Sequence, residues 1–226
     1  NGEEALYKLF GINAELLIDH AWGWEPCTIK DIKAYKPASH SLSIGQVLSE
    51  PYSFNKARVV IQEMADSLSL DLVDKCLLCD QMVLYVGYDS SSLPAYAGDL
   101  KSDYYGRSVP KPASASVNLS GFTSSSAEII DAVTSLFDRI VNKDLLVRRM
   151  SVAANHTLPE GSPETMQLNL FEAEEKKEDS ARERRRQEAI LAIKKKYGKN
   201  AILKGLNFEE GATQRERNKQ VGGHKA

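Results

Sequence analysis

Residues 113–122 read ASASVNLSGF, and their period of two decides the fold. Ala115, Val117 and Leu119 fall on one side of an extended chain, Ser116, Asn118 and Ser120 on the other, because successive strand side chains point to opposite faces. A strand apolar on one side and polar on the other belongs to a sheet with one covered and one open face. Working outward, SLSIGQVL at 41–48 alternates in the same way through Leu42, Ile44 and Leu48. QMVLYVGY at 81–88 is rich in β-formers and reads as a central strand, and LLVRRMSVAA at 145–154 is strand-like. Two helical stretches separate these runs. Between Asn55 and Lys75, the residues Val60, Met64, Leu68 and Leu72 recur at one helix face. Ser125 and Glu128 form a capping-box pattern opening a helix that turns Ile129, Val133, Leu136 and Ile140 inward.

The order βαββαβ predicts an α+β domain: one four-stranded antiparallel sheet with two helices on one face, in the split-βαβ, ferredoxin-like layout. The uncovered face should carry small and polar side chains. Residues 89–112, with Tyr, Gly, Pro and Ser, read as a long hairpin insertion.

The flanks are of a different character. Residues 3–22 have helical spacing in two pieces, EEALYKLF and AELLIDHAW, punctuated by Gly11 and Asn13 and stopped at Gly23. So short a piece cannot bury a core alone, and the chain opens at Asn1 already inside the helical pattern, as a fragment of something longer would. A polar connector follows, TIKDIKAYKPASH, with Lys30, Lys33 and Lys36. After Thr157, LPEGSPET reads as linker; then comes QLNLF, whose Leu168, Leu170 and Phe171 stand in a segment otherwise too polar to fold. A charged helix is expected over 172–198 with a thin apolar stripe of Ala189, Ile190, Ile193 and Tyr197, and the last 20 residues read as a polar, mobile arm.

Composition sets bounds on function. Of 226 residues, 42% are apolar and 27% charged, which suits a soluble globular protein. No apolar run approaches the roughly 18 residues of a membrane span, and no secretory signal is expected. Cys27, Cys76 and Cys79 are an odd, sparse set that fits a reducing cytosol. The net charge of -2 hides an asymmetry: residues 1–179 carry 16 Lys and Arg against 26 Asp and Glu, whereas residues 180–226 carry 13 against 5. Attraction to polyanions is therefore local.

Candidate sites follow from these placements. QLNLF is either the stub of a buried or edge strand, or a peptide whose few apolar anchors fit a preformed pocket on another protein. Arg148 and Arg149 are adjacent on a strand, so only one can face the open side unless a bulge intervenes. CLLC at 76–79 has C-x-x-C spacing but no second pair, so two small buried residues at a helix-to-strand junction are expected and no zinc. His20, His40, His156 and His224 are scattered, GLNFEEGAT lacks the Lys and spacing of a phosphate loop, and no catalytic triad can be assembled. No catalytic residue, metal or cofactor is assigned. The basic tail could contact nucleic acid, lie on a membrane surface or dock through Ile190, Ile193 and Tyr197; its narrow apolar stripe argues against membrane insertion.

Taken together, LYKLFG…LLIDHAWGWEP, the basic connector, the βαββαβ domain and QLNLF resemble the C-terminal part of Y-family lesion-bypass DNA polymerases. KKKYGKNAILKG…GATQRERNKQVGGHKA resembles the UmuC-like (ImpB/MucB/SamB) branch of Gram-positive bacteria. The resemblance implies that residues 1–26 end the thumb, 27–39 are a basic linker, 40–157 the little finger, 158–179 a linker with the clamp-binding peptide, and 180–226 a basic helical tail. It implies Gln167, Leu168, Asn169, Leu170 and Phe171 as contacts to the β sliding clamp. It also implies Lys33, Lys36, Ser41, Ser43, Ser116, Asn118, Arg148 and Arg149 as contacts to the template-primer DNA duplex, without sequence preference. Nucleotidyl transfer in the resembled parent uses palm carboxylates and magnesium; no stretch here aligns with them, so the fragment is expected to be non-catalytic and to need no cofactor. Translesion repair in the SOS response, accessory polymerase subunits as further partners, and a cytoplasmic, nucleoid-associated location are implied in the same way. The rival reading is a stand-alone regulatory adaptor whose ferredoxin-like domain binds a protein or small ligand.

Overall fold

Thr28 and Asp31 reveal a local signal inside the connector read as linker. Thr28 caps a helix: its side chain accepts from the Asp31 backbone N–H at 3.3 Å, and the Asp31 carboxylate accepts from the Thr28 backbone N–H at 2.9 Å. This reciprocal pair satisfies two helix-end donors, and the T-x-x-D spacing carried the signal. The computed structural model describes residues 2–35, 41–103, 106–166, 174–221 and 224–225, in two packing units, 1–39 and 40–226. The first unit holds α1 (Gly2–Phe10), α2 (Asn13–Ala21) and the capped α3 (Ile29–Ala34). Among its described residues only Ala14 is buried, while Leu9, Ile12, Trp22 and Trp24 are exposed. A piece this short has no core of its own, as expected.

The second unit runs β1 (Ser41–Tyr52), α4 (Phe54–Asp74), β2 (Leu77–Tyr88), a hairpin of β3 (Leu100–Ser102) and β4 (Ser108–Pro110), β5 (Ala113–Thr123), α5 (Ser126–Ile140) and β6 (Val147–Asn155). The principal strands and helices follow the expected βαββαβ order, and 89–112 contains the expected hairpin. The sheet order is β1-β6-β2-β5 with antiparallel neighbours, and a short β7 (Leu158–Pro159) pairs with the start of β2. β1 and β2 therefore run parallel with β6 between them, which is a split βαβ unit. Pro51 is tolerated because β1 is an edge strand.

α4 and α5 cover one sheet face. Val60, Met64, Leu68 and Leu72 of α4 are fully buried, as are Ile129, Val133 and Phe137 of α5, against Met82, Leu84 and Val86 of β2 and Met150 and Val152 of β6. β2 begins four residues before the expected start and takes Cys79 into the core, where burial pushes its thiol up to about 12. Cys76 is exposed at φ 52°, which corrects the expectation that both thiols are buried.

The polar tail is not a free arm up to Val221. α6 (Glu174–Tyr197) packs along α4, followed by a 3₁₀ turn at Gly205–Phe208 and α7 (Gln214–Arg217). α6 turns Gln187, Ile190, Leu191, Ile193 and Lys194 inward, so Ile190 and Ile193 of the expected stripe are placed as read, while Ala189 and Tyr197 are exposed and correct it. Two buried polar side chains bolt the tail down. Glu63 of α4, only 2% exposed, accepts from the backbone N–H groups of Thr213 and Gln214 at 2.7 and 3.0 Å and from Asn207 at 2.8 Å. Gln187, 3% exposed, donates to the Ser124 carbonyl and to Ser126 Oγ, both at 2.9 Å. Glu183 completes the cap of α5, accepting from Ser125 Oγ at 2.6 Å and from the Ala127 N–H at 3.0 Å.

Charge drives the same docking. Lys195 pairs with Asp74, Lys204 with Asp66 at 2.5 Å, Arg184 with Glu160 at 2.7 Å, and Glu210 with Lys56 at 2.9 Å. Three of the thirteen Lys and Arg of 180–226 are thus paired with acidic residues of the body, and one tail carboxylate with a body lysine.

Candidate nucleic-acid interface

The sheet face opposite α4 and α5 is assembled by register. Odd-numbered residues within 41–47, 81–87 and 149–155 and even-numbered residues within 114–118 share it, in cross-strand rows. One row is Ser41, Asn155, Gln81 and Asn118; the next is Ser43, Ala153, Val83 and Ser116; then Gly45, Ser151, Tyr85 and Ser114; last, Val47, Arg149 and Gly87. The first row is an amide ladder: Asn155 Nδ2 donates to Gln81 Oε1 at 3.1 Å, and Gln81 Nε2 donates to Asn118 Oδ1 at 2.9 Å. Small side chains make the middle rows low. In the last row, Gly87 leaves a notch between the Tyr85 ring and the Arg149 stem, which a Cβ would meet at 3.5 and 3.6 Å.

The two arginines are separated by a register shift. Gly87 pairs with Arg149 but Tyr88 pairs with Val147, so Arg148 is the extra residue of a β-bulge. Arg149 takes the open face, exposed and with no ion-pair partner within 4 Å among the described residues. Arg148 turns to Asp89, at 3.8 Å. Burial works to raise the Asp89 carboxyl, but hydrogen bonds from Ser91 and the charges of Arg148 and Arg107 hold it below the usual carboxylate range. Arg107 and Lys111 of the neighbouring insertion are themselves paired, with Asp103 at 2.7 Å and Asp99 at 3.3 Å.

Chemically, this face offers hydroxyl and amide donors, one aromatic ring and one unpaired guanidinium. Phosphate oxygens accept from all of these donors, and such contacts carry no sequence information. Ser41, Ser43, Ser116, Asn118 and Arg149 are brought together on the face; Arg148 is displaced to its rim by the bulge. Lys33 is exposed on α3. Lys36 and Gln167, Leu168, Asn169, Leu170 and Phe171 lie outside the described residues. Gln81, Tyr85, Ser151 and Asn155 are additional members that the sequence reading passed over, although the alternation of β2 and β6 held the signal. Among the described residues no three His, Cys, Asp or Glu side chains are grouped to hold a metal ion. No described helix is long and apolar enough to cross a membrane.

A family model described as the impB/mucB/samB family C-terminal domain matches residues 39–170. Among solved structures, a chain from a complex of beta-clamp processivity factor and little finger domain of PolIV is 11% identical, covering 51% of this chain and 87% of that one at a TM-score of 0.34. No curated protein matches the chain.

Proposed function

The chain belongs to the impB/mucB/samB family, with residues 39–170 as the family's C-terminal domain, and on that premise we propose that it grips template-primer DNA and recruits the sliding clamp for a lesion-bypass DNA polymerase. The observation that carries the reading is the uncovered sheet face, neutral and low apart from Arg149. Hydroxyls, amides and one guanidinium give phosphate contact without sequence preference, which an enzyme that must accept any template requires. The body's acidic excess keeps this grip weak. QLNLF at 167–171 supplies the remainder: tethering to the clamp raises the effective concentration at the primer terminus without demanding tight DNA binding. Nucleotidyl transfer, with its magnesium ions, belongs to other parts of the parent polymerase.

Fluorescence anisotropy with primed duplex tests the first half. Binding should be insensitive to sequence and fall with salt at a shallow slope of about -1, and Arg149→Glu should weaken it and largely remove that slope. Salt-independent binding, or none together with a defined small-ligand partner, would favour the adaptor reading instead. For the second half, Gln167→Ala with Leu170→Ala and Phe171→Ala should abolish binding to purified clamp; retained affinity would sink it.

A further inference from the structure

The docked tail creates a cleft that neither segment forms alone. It lies between α4, α6 and α7, with a volume of about 470 Å³. Its polar walls are satisfied among themselves: Ser67 donates to Gln214 at 3.2 Å, Gln214 to Asn218 at 2.8 Å, and Asn218 to Asn200 at 2.7 Å. Lys195 and Asp74, also on the wall, neutralise one another. Lys194, Lys199 and Arg217 are different. None has an ion-pair partner within 4 Å among the described residues, and all three line the cleft. The Asp71 carboxylate lines it with them and also lacks an ion-pair partner within 4 Å among the described residues, and Asp66 and Glu63 lie within electrostatic reach of Lys194 and Arg217. Lys194 and Arg217 are half-buried, and burial works against their charged forms, while Lys199 and Asp71 stand at the exposed mouth. Ile44, Leu70 and Leu191 supply an apolar wall beside the charges.

We infer that this cleft binds a small phosphate-bearing ligand of about mononucleotide size. Over the whole lining, four cations (Lys194, Lys195, Lys199 and Arg217) face two carboxylates (Asp71 and Asp74), and the excess suits a phosphate monoester, which carries about -1.5 to -2 at neutral pH. The volume lies within the range of small-molecule sites, and the apolar wall takes the organic body. The same group can come from a free nucleotide or from the 5′-phosphate at the end of a nucleic-acid strand. The site is built by the tail and α4, and it uses no residue of the sheet's open face.

Isothermal titration of the whole chain tests the assignment, with dAMP, deoxyadenosine, inorganic phosphate, and a short single strand with and without a 5′-phosphate as probes. Saturable binding of dAMP but not of deoxyadenosine is expected, with inorganic phosphate weaker. Lys194→Gln combined with Lys199→Gln should weaken dAMP by about tenfold or more. Asp71→Asn should tighten it several-fold, a gain that a misfolded variant cannot mimic, and Arg149→Glu should leave it unchanged. A preference for the phosphorylated strand that depends on Lys194 and Lys199 identifies the strand end as the source; its absence beside dAMP binding identifies the free nucleotide. The inference is overturned if no phosphate probe binds, if the nucleoside binds equally well, if Asp71→Asn fails to tighten binding, or if Arg149→Glu removes it.

Discussion

The two faces of one sheet are finished in opposite ways. On the covered face, apolar strand residues meet α4 and α5, and the outer side of α4 carries Glu63, Asp66, Asp71 and Asp74, over which the basic tail closes. On the open face, charge is nearly absent: rows of Ser, Ala, Gly and mutually bonded amides end at Arg149. The difference teaches where electrostatics is spent. Part of the tail's positive charge, which by composition alone would go to a polyanion, holds the tail to the body. The surface proposed for DNA works by shape and neutral donors.

The sharpest way to break this comparison is at Glu63. Replacing it with Ala leaves the Thr213, Gln214 and Asn207 donors without their acceptor, and should cost about 3 kcal/mol in denaturant unfolding. Limited proteolysis should then cut within 199–221, where the wild type resists. If Glu63→Ala leaves the tail protected, the latch is misassigned. Next in size is Gln187→Ala, which strands the Ser124 carbonyl and the Ser126 hydroxyl, at about 1–2 kcal/mol by the same measurement.

On the open face the expected stability effects are far smaller. Ser116→Ala and Asn118→Ala should each stay within about 0.5 kcal/mol, because both side chains are exposed. Their effect belongs in duplex affinity, measured alongside Arg149→Glu. A large loss of stability there would mean that the face is structural rather than held free for a partner.

The effect smallest at neutral pH is a pH dependence from the core, which shows only above about pH 9. The Cys79 thiol is held by burial, and secondarily by the Asp80 charge, at about 12 against an ordinary 9.0. A raised folded value means this contribution is fully present below pH 9 and is lost as pH rises toward 12. The melting temperature should therefore fall less steeply across that range in Cys79→Ala than in the wild type. An identical slope would show that Cys79 is not insulated by the sheet.

Much of this was legible beforehand because it is periodic. The alternation of 113–122 and the spacing of Val60, Met64, Leu68 and Leu72 specify faces directly, and both faces appear as read. What escaped was aperiodic. Glu63 and Gln187 look like ordinary surface residues of charged helices, since a polar side chain on an inward stripe has meaning only once its distant partners arrive. The bulge at Arg148 is equally silent, because one extra residue in a strand changes no local pattern.

By itself the sequence determined the order of the six βαββαβ elements, the side of each that faces the core, the family and the position of QLNLF in the chain, all set by side-chain identity and short-range spacing. Only the tertiary structure decided that β6 enters the middle of the sheet, which of two adjacent arginines faces outward, and that a polar tail becomes part of the fold. Those outcomes depend on hydrogen bonds and ion pairs between residues far apart in the chain, and such pairings exist only after the chain has closed on itself.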